Sequence, residues 1–268
     1  MKKLMAIALA AVMACGALLT GCGGDKADTS LEDVKKKGQL VMGLDDSFPP
    51  MGFRDENQNI VGFDVDVAKE VAKRMGVELK LQPIDWKAKE QELDTGNVDC
   101  LWNGFTKTAE RGEKMNLSDP YMKNTQVVVV LADSDIKTLD DLAGKTVIVQ
   151  GGSTAEEAVD AKEGFKDTLK ELVVIEDNVK AMMDLGVGGS DAVIMDEVVA
   201  RYYTEKEAGK YRLLDDTLAD EEYVVGFRKN DQTLRDEVQK YLNEMAKDGT
   251  LASIADTWFG KDITTVGK

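Results

Sequence analysis

The chain has 268 residues, 43% of them apolar, and its 50 Asp and Glu outnumber 34 Lys and Arg to give a formal charge of −16. So acidic a surface argues against nucleic acid as a partner, because that affinity comes from Lys and Arg set against phosphates. No histidine occurs, which excludes Ser-His-Asp and Cys-His catalysis and any zinc centre built on imidazole.

In chain order, Met1-Lys2-Lys3 and the apolar run Leu4 to Leu19 read as a leader over residues 1–21. The run falls short of the ~20 residues that span a bilayer. Leu19-Thr20-Gly21-Cys22 resembles a bacterial lipobox, which implies cleavage before Cys22 and acylation of that cysteine; a plain secretory leader is the alternative. Residues 22–30 are small and polar and read as a tether. With Cys15 in the leader and Cys22 lipidated, only Cys100 remains, so no disulfide within the chain is expected. Strands such as Leu40-Val41-Met42 and Val147-Ile148-Val149 alternate with helical segments, the pattern of an α/β fold. The helix after Asp64 places Val67, Ala68, Val71, Ala72 and Met75 on one face and stops at Gly76.

Leu93-x-x-Gly96-x-x-Asp99 before the strand Cys100 to Trp102 is echoed by Leu185-x-x-Gly188-x-x-Asp191 before Ala192 to Met195. Gly38 to Leu44 is similarly echoed by Gly144 to Gln150. The echo predicts two lobes of similar build, lobe 1 from 31–122 and 223–268 and lobe 2 from 123–222, with two crossovers between them. Ligands of open α/β sheets sit beyond the carboxyl ends of the strands, so a cleft between the lobes is the expected site. After Cys100 to Trp102 come Asn103 to Thr108 and then Arg111 at a helix start; its guanidinium fork suits a planar carboxylate. Ser153 with Glu156 reads as a capping box, and Asp196 reads as the N-cap of a helix over Glu197 to Tyr203. Two amphipathic helices, Leu234 to Leu242 and Leu251 to Trp258, are split at Gly249.

Gly104-x-Thr106-x-Thr108-x-x-Arg111, then Leu117-Ser118-Asp119-Pro120-Tyr121, and Trp258-Phe259-Gly260 near the end resemble the signatures of the polar amino-acid-binding proteins of ABC importers, solute-binding protein family 3. The resemblance implies a two-lobed periplasmic-binding-protein-like type II fold, with the ligand cleft between lobes joined by two crossover strands. It implies Arg111, Ser153 and Thr154 at the ligand carboxylate, and Asp196, the Gly104 carbonyl and Thr106 at its ammonium. Phe48 and Trp86 match aromatic walls, Asp45 matches an acid that accepts from the ligand side chain, and Asn103 and Gln150 complete the set. Trp102, Asn103 and Gln150 depart from the residues usual at their positions. The implied ligand is a free polar L-amino acid such as glutamine, histidine, arginine or lysine, and the implied partners are the permease subunits. The expected protein is monomeric, without cofactor or metal, not an enzyme, and lipid-anchored outside the cytoplasm at the membrane. A dehydratase-type enzyme on the same fold, with Asp45 or Asp196 as general acid, and a sensory ligand-binding module are the alternatives.

Overall fold

The computed structural model describes residues 27–268; the leader, the lipidation site Cys22 and most of the tether lie outside the described residues. What is described of the tether is docked on the fold. Asp28 accepts from the Ser30 N–H at 2.9 Å and from the Thr233 N–H at 2.5 Å, and Ser30 is buried at the start of the first helix. Residues 28–30 of the expected tether are thus held against the fold, because Asp28 caps the start of a C-terminal helix.

The strands in chain order are β1 (Gln39–Leu44), β2 (Ser47–Phe48), β3 (Gly52–Arg54), β4 (Ile60–Val61), β5 (Glu78–Pro83), β6 (Cys100–Leu101) and β7 (Met115–Leu117). They continue with β8 (Met122–Leu131), β9 (Thr146–Gln150), β10 (Glu171–Ile175), β11 (Ala192–Asp196), β12 (Tyr211–Tyr223) and β13 (Gly226–Arg228). One sheet runs β5-β1-β6-β13-β7 and the other β10-β9-β11-β8-β12. In the first, β1 is parallel to β5 and β6, and β13 is antiparallel to β6; in the second, β9 is parallel to β10 and β11, and β8 is antiparallel to β11. The two sheets share one plan. A small third sheet, β2-β3-β4, sits beside the first.

The sequence echo has a physical basis. Asp99 accepts from the Val41 N–H at 2.8 Å and returns its own N–H to the Val41 carbonyl at 2.8 Å. Asp191 does the same with Thr146, at 2.8 and 2.9 Å. Each aspartate pins the entry of a strand to its parallel neighbour and sets the register of its sheet.

The segments that pass between the sheets form a ribbon. Met122, Lys123, Asn124, Thr125 and Gln126 of β8 lie opposite Tyr223, Glu222, Glu221, Asp220 and Ala219 of β12. We place the lobe limits, 122/123 and 222/223, within this ribbon. Side chains alternate along β8: Val127 and Val129 join a core that runs across both lobes, and Val128 and Val130 a second core within lobe 2.

Among the helices, α1 is Ser30–Lys37 and α2 Phe63–Met75; α2 buries Val67, Ala68, Val71, Ala72 and Met75 and stops at the left-handed Gly76, as its spacing predicts. Then come α3 (Lys89–Asp94), α4 (Ala109–Lys114), α5 (Thr154–Ala161), α6 (Phe165–Thr168), α7 (Asn178–Gly186) and α8 (Glu197–Lys206). The last two, α9 (Gln232–Asp248) and α10 (Thr250–Phe259), meet at Gly249 with φ 84°. Trp102 and Cys100 are fully buried, with the Trp102 ring 6.3 Å from that of Tyr121. Trp102 belongs to the core and not to the cleft. Among the described residues no helix is long and apolar enough to cross a membrane.

Candidate functional site

The carboxyl ends of β1, β6, β9 and β11 converge, and the residues just beyond them wall one cavity. Asp45, Phe48, Trp86, Asn103, Gly104, Thr106, Arg111, Gln150, Ser153, Thr154 and Asp196 line it, so the residues expected around a ligand lie in one place. The space left between them is about 10 Å³, no more than the smallest cavity that holds one water. The two lobes are shut on each other.

At one end stands Arg111, 4% exposed. Thr108 caps α4 by accepting from the Arg111 N–H at 3.1 Å, which sets the arginine in the first helical turn. Its guanidinium donates to the Thr106 carbonyl at 2.7 Å, donates to Glu157 of the opposite lobe at 3.3 Å, and lies 4.5 Å from the centre of the Phe105 ring. The Trp86 ring meets Phe105 edge-on at 6.2 Å. An aromatic ledge and a backbone carbonyl thus fix the fork before any anion arrives.

Ser153 caps α5 by accepting from the Glu156 N–H at 3.3 Å, and its hydroxyl donates to the Gln150 carbonyl at 2.7 Å. The reciprocal half of the expected capping box is displaced by one residue: Glu156 accepts from the Gly152 N–H at 2.7 Å. Gly152 has φ +71°, and this left-handed turn brings its N–H rather than that of Ser153 to the carboxylate. The Thr154 hydroxyl donates to that of Thr106 across the cleft at 3.3 Å.

Asp196 occupies the N-cap position of α8 but makes no side-chain cap bond, against its reading as a plain helix cap. Its carboxyl instead accepts from the Tyr223 hydroxyl at 2.8 Å and from the amides of Asn124 at 2.5 Å and Gln126 at 3.0 Å. Glu221 accepts from the same two amides, at 2.9 and 3.0 Å, and from the Thr106 hydroxyl at 3.0 Å. Burial, and then the neighbouring Glu221 carboxylate, push the Asp196 carboxyl up to about 7. Asp196 and Glu221, sharing amide donors, make an acidic corner on which a cation would settle as Asp196 ionises.

The sequence reading missed Asn124, Gln126, Glu221 and Tyr223. The stretch Lys123-Asn124-Thr125-Gln126 is polar throughout, and no period in it singles out Asn124 and Gln126. Glu221 lies in the run Asp220-Glu221-Glu222, which reads as solvated surface.

At the other end, Asp45 accepts from the Ser47 N–H at 2.8 Å and, across the cleft, from the Gln150 amide at 2.7 Å. Asn178 donates to the Gln150 carbonyl oxygen at 3.0 Å, and Asn103 accepts from the Asp45 N–H at 3.2 Å. Burial pushes the Asp45 carboxyl up to about 6; the carboxylates of Asp177 and Asp46 add to the rise against the bonds from Gln150 and Ser47.

Gly104 has φ +55°, and a Cβ there would fall 2.7 Å from Phe48 Cε1 and 3.1 Å from Tyr223 Cζ. Gly104→Ala is therefore expected to destabilise the protein by about 1–2 kcal/mol for the left-handed backbone alone. Thermal unfolding checks this, and a midpoint equal to wild type would contradict it.

Two sheets of one plan, joined by a ribbon and shut over a charged cavity, define a two-lobed binding protein of the periplasmic type II fold. The family description "Bacterial extracellular solute-binding proteins, family 3" matches residues 40–261, and the chain belongs to that family. It is 34% identical to an arginine-binding extracellular protein of Bacillus subtilis over 264 residues, 97% of this chain and 98% of that one. It is 33% identical to an L-cystine-binding protein of Escherichia coli over 236 residues, 87% of each chain. A crystal structure of an ABC uptake transporter substrate binding protein from Streptococcus pneumoniae with bound histidine superposes with a TM-score of 0.86 at 35% identity, covering 90% of this chain and 100% of that one.

Proposed function

We propose that this protein captures a free polar amino acid between its lobes and delivers it to the permease of an ABC importer. One observation carries the reading. A fixed guanidinium, Arg111, and a buried carboxyl, Asp196, line the same cavity, so the site offers opposite charges to the two groups that every α-amino acid presents. Ser153 and Thr154 would help to hold the carboxylate; Thr106 and the Gly104 carbonyl would help to hold the ammonium. Phe48 and Trp86 would flank the aliphatic stem.

At the far end Asp45, with Asp46 and Asp177 close by, favours a ligand side chain that donates or carries positive charge, such as arginine, histidine or lysine, ahead of glutamine. The cavity as shut has no room for such a ligand. Entry would require the lobes to part and the cross-cleft bonds Gln150–Asp45, Thr154–Thr106 and Glu157–Arg111 to yield, which is the hinge closure of two-lobed binders. Attachment to the membrane through an acylated Cys22 and action as a monomer belong to the same proposal.

One observation favours a second reading. A carboxyl held near 7, as Asp196 is, could serve as the general acid of a dehydratase-type enzyme. Conversion of a bound compound in a product assay would select it.

The test is a thermal-shift screen of the protein from residue 22 onward against the common amino acids. A ligand at 100 times its Kd stabilises by about 2.7 kcal/mol, and each kcal/mol raises the midpoint by about 2–4 °C at this size. At least one polar amino acid is expected to give such a rise; silence across the panel would sink the proposal.

A further inference from the structure

The lysine that follows the Trp86 turn by three residues plays no part in the ligand site, yet it is almost fully buried. Lys89 is 5% exposed and is not among the residues lining the cavity. Its ammonium donates to the Trp86 carbonyl at 3.2 Å within lobe 1 and to the Gly152 carbonyl of lobe 2 at 2.7 Å. The ammonium also lies 5.4 Å from the centre of the Trp86 ring. The landing place is shaped for this approach. A Cβ on Gly151 would fall 1.8 Å from Lys87 Cε, and one on Gly152 would fall 3.1 Å from Lys87 Cα. The Lys87 side-chain end beside Gly151 can swing aside, so it is Gly152, with φ +71° and a backbone atom in its path, that lets the lysine-bearing turn come so near.

Both backbone groups of Gly152 are then held. Glu156 of its own lobe accepts from its N–H at 2.7 Å, and Lys89 of the other lobe donates to its carbonyl. The next two residues are Ser153 and Thr154, which line the cavity.

We propose that Lys89 is a positioning residue, a latch between the lobes that seats the Gly151–Thr154 loop over the ligand and holds the cleft shut. The inference rests on the reading that the cleft closes over an amino acid. When the lobes part, the ammonium loses the Gly152 carbonyl and returns to water; when they meet, it is sealed in. Its surroundings agree with such sealing. Burial, and then the nearby Arg111 guanidinium, push the amine down to about 8, opposed by Glu90, Glu157 and Glu156.

Two measurements test the latch, each with L-arginine, L-histidine and L-glutamine as probes. In stopped-flow tryptophan fluorescence, Lys89→Met is expected to speed dissociation of the bound amino acid about tenfold or more, the order expected for a lost hydrogen bond from a charged donor, with association unchanged. In wild type, a saturating amino acid is expected to slow reductive methylation of Lys89, read by peptide mass spectrometry, while Lys36 on exposed α1 is modified at an unchanged rate. Unchanged or slower dissociation from the variant would overturn the latch, because burying the cation would then cost as much as its bonds return. Binding without protection of Lys89 would overturn the latch alone. Failure of every common amino acid to bind wild type would overturn the functional reading and the latch together.

Discussion

Arg111→Ala is expected to weaken amino-acid binding by at least about 30-fold while the protein stays folded. Truncating one partner of a buried, hydrogen-bonded charge pair costs about 2–5 kcal/mol, and every 1.4 kcal/mol is a factor of ten in Kd. The loss should lie in binding because the arginine is fixed from below by the Thr106 carbonyl and the Phe105 ring, leaving the rest of its fork for a carboxylate. Removing it also strips a donor from the Thr106 carbonyl. That is one hydrogen bond from a charged group, about 1.5–3 kcal/mol, so the ligand-free midpoint should fall by a few to about ten degrees. Calorimetric titration checks the first number and thermal unfolding the second. Binding retained within a factor of three would remove Arg111 from the site.

Asp196→Asn is expected to weaken binding comparably near pH 7.5 and to flatten its dependence on pH. In the shut form the Asp196 carboxyl is held up at about 7, so it carries a proton across much of the range in which a free aspartate would be ionised. A ligand ammonium beside it favours the ionised form and expels that proton. Wild-type affinity should therefore rise as pH is raised from about 5 to about 7, by up to tenfold per unit for one proton released, and level off above. The variant keeps no ionisable group at this position, so that part of the slope disappears.

The same linkage acts on folding. Asp45 at about 6, and Asp64 and Asp196 at about 7, are all raised, chiefly by burial. Between about pH 4 and pH 7 the folded state then binds more protons than the unfolded one. Stability from these groups is full below about pH 4 and is lost as pH rises through 6 to 7. The ligand-free midpoint should fall over that interval, as differential scanning calorimetry at stepped pH would show; a steady rise would mean that the three carboxyls are ionised in the fold.

Much of this site is legible in the residues because strand ends in an α/β sheet are marked twice. Each aspartate that opens a strand also pins its neighbour, so Asp99 and Asp191 announce where Asn103 and Asp196 will emerge. The role of Asp196 is not legible locally. A carboxylate at the N-cap position of α8 and one aimed into a cleft occupy the same place in the sequence. Only the meeting of β8 and β12 brings Asn124, Gln126 and Tyr223 to it.

Trp102 is similar: next to a ligand loop in the chain, it is turned into the core beneath that loop and is fully buried. Lys89 and Glu221 lie in charged stretches that read as solvated, and they acquire neighbours only from distant segments. Contacts across a cleft leave no local period. For the same reason the ribbon that joins the lobes is visible as two extended passages but not as a pair.

The most direct measurement is calorimetric titration of the protein with its best-binding amino acid, the decarboxylated amine of that amino acid, and its Nα-acetyl derivative. If Arg111 holds the carboxylate and Asp196 the ammonium, only the intact amino acid binds tightly, and each derivative is weaker by about 30-fold or more. Either derivative binding within threefold of the parent would contradict the two-ended clamp.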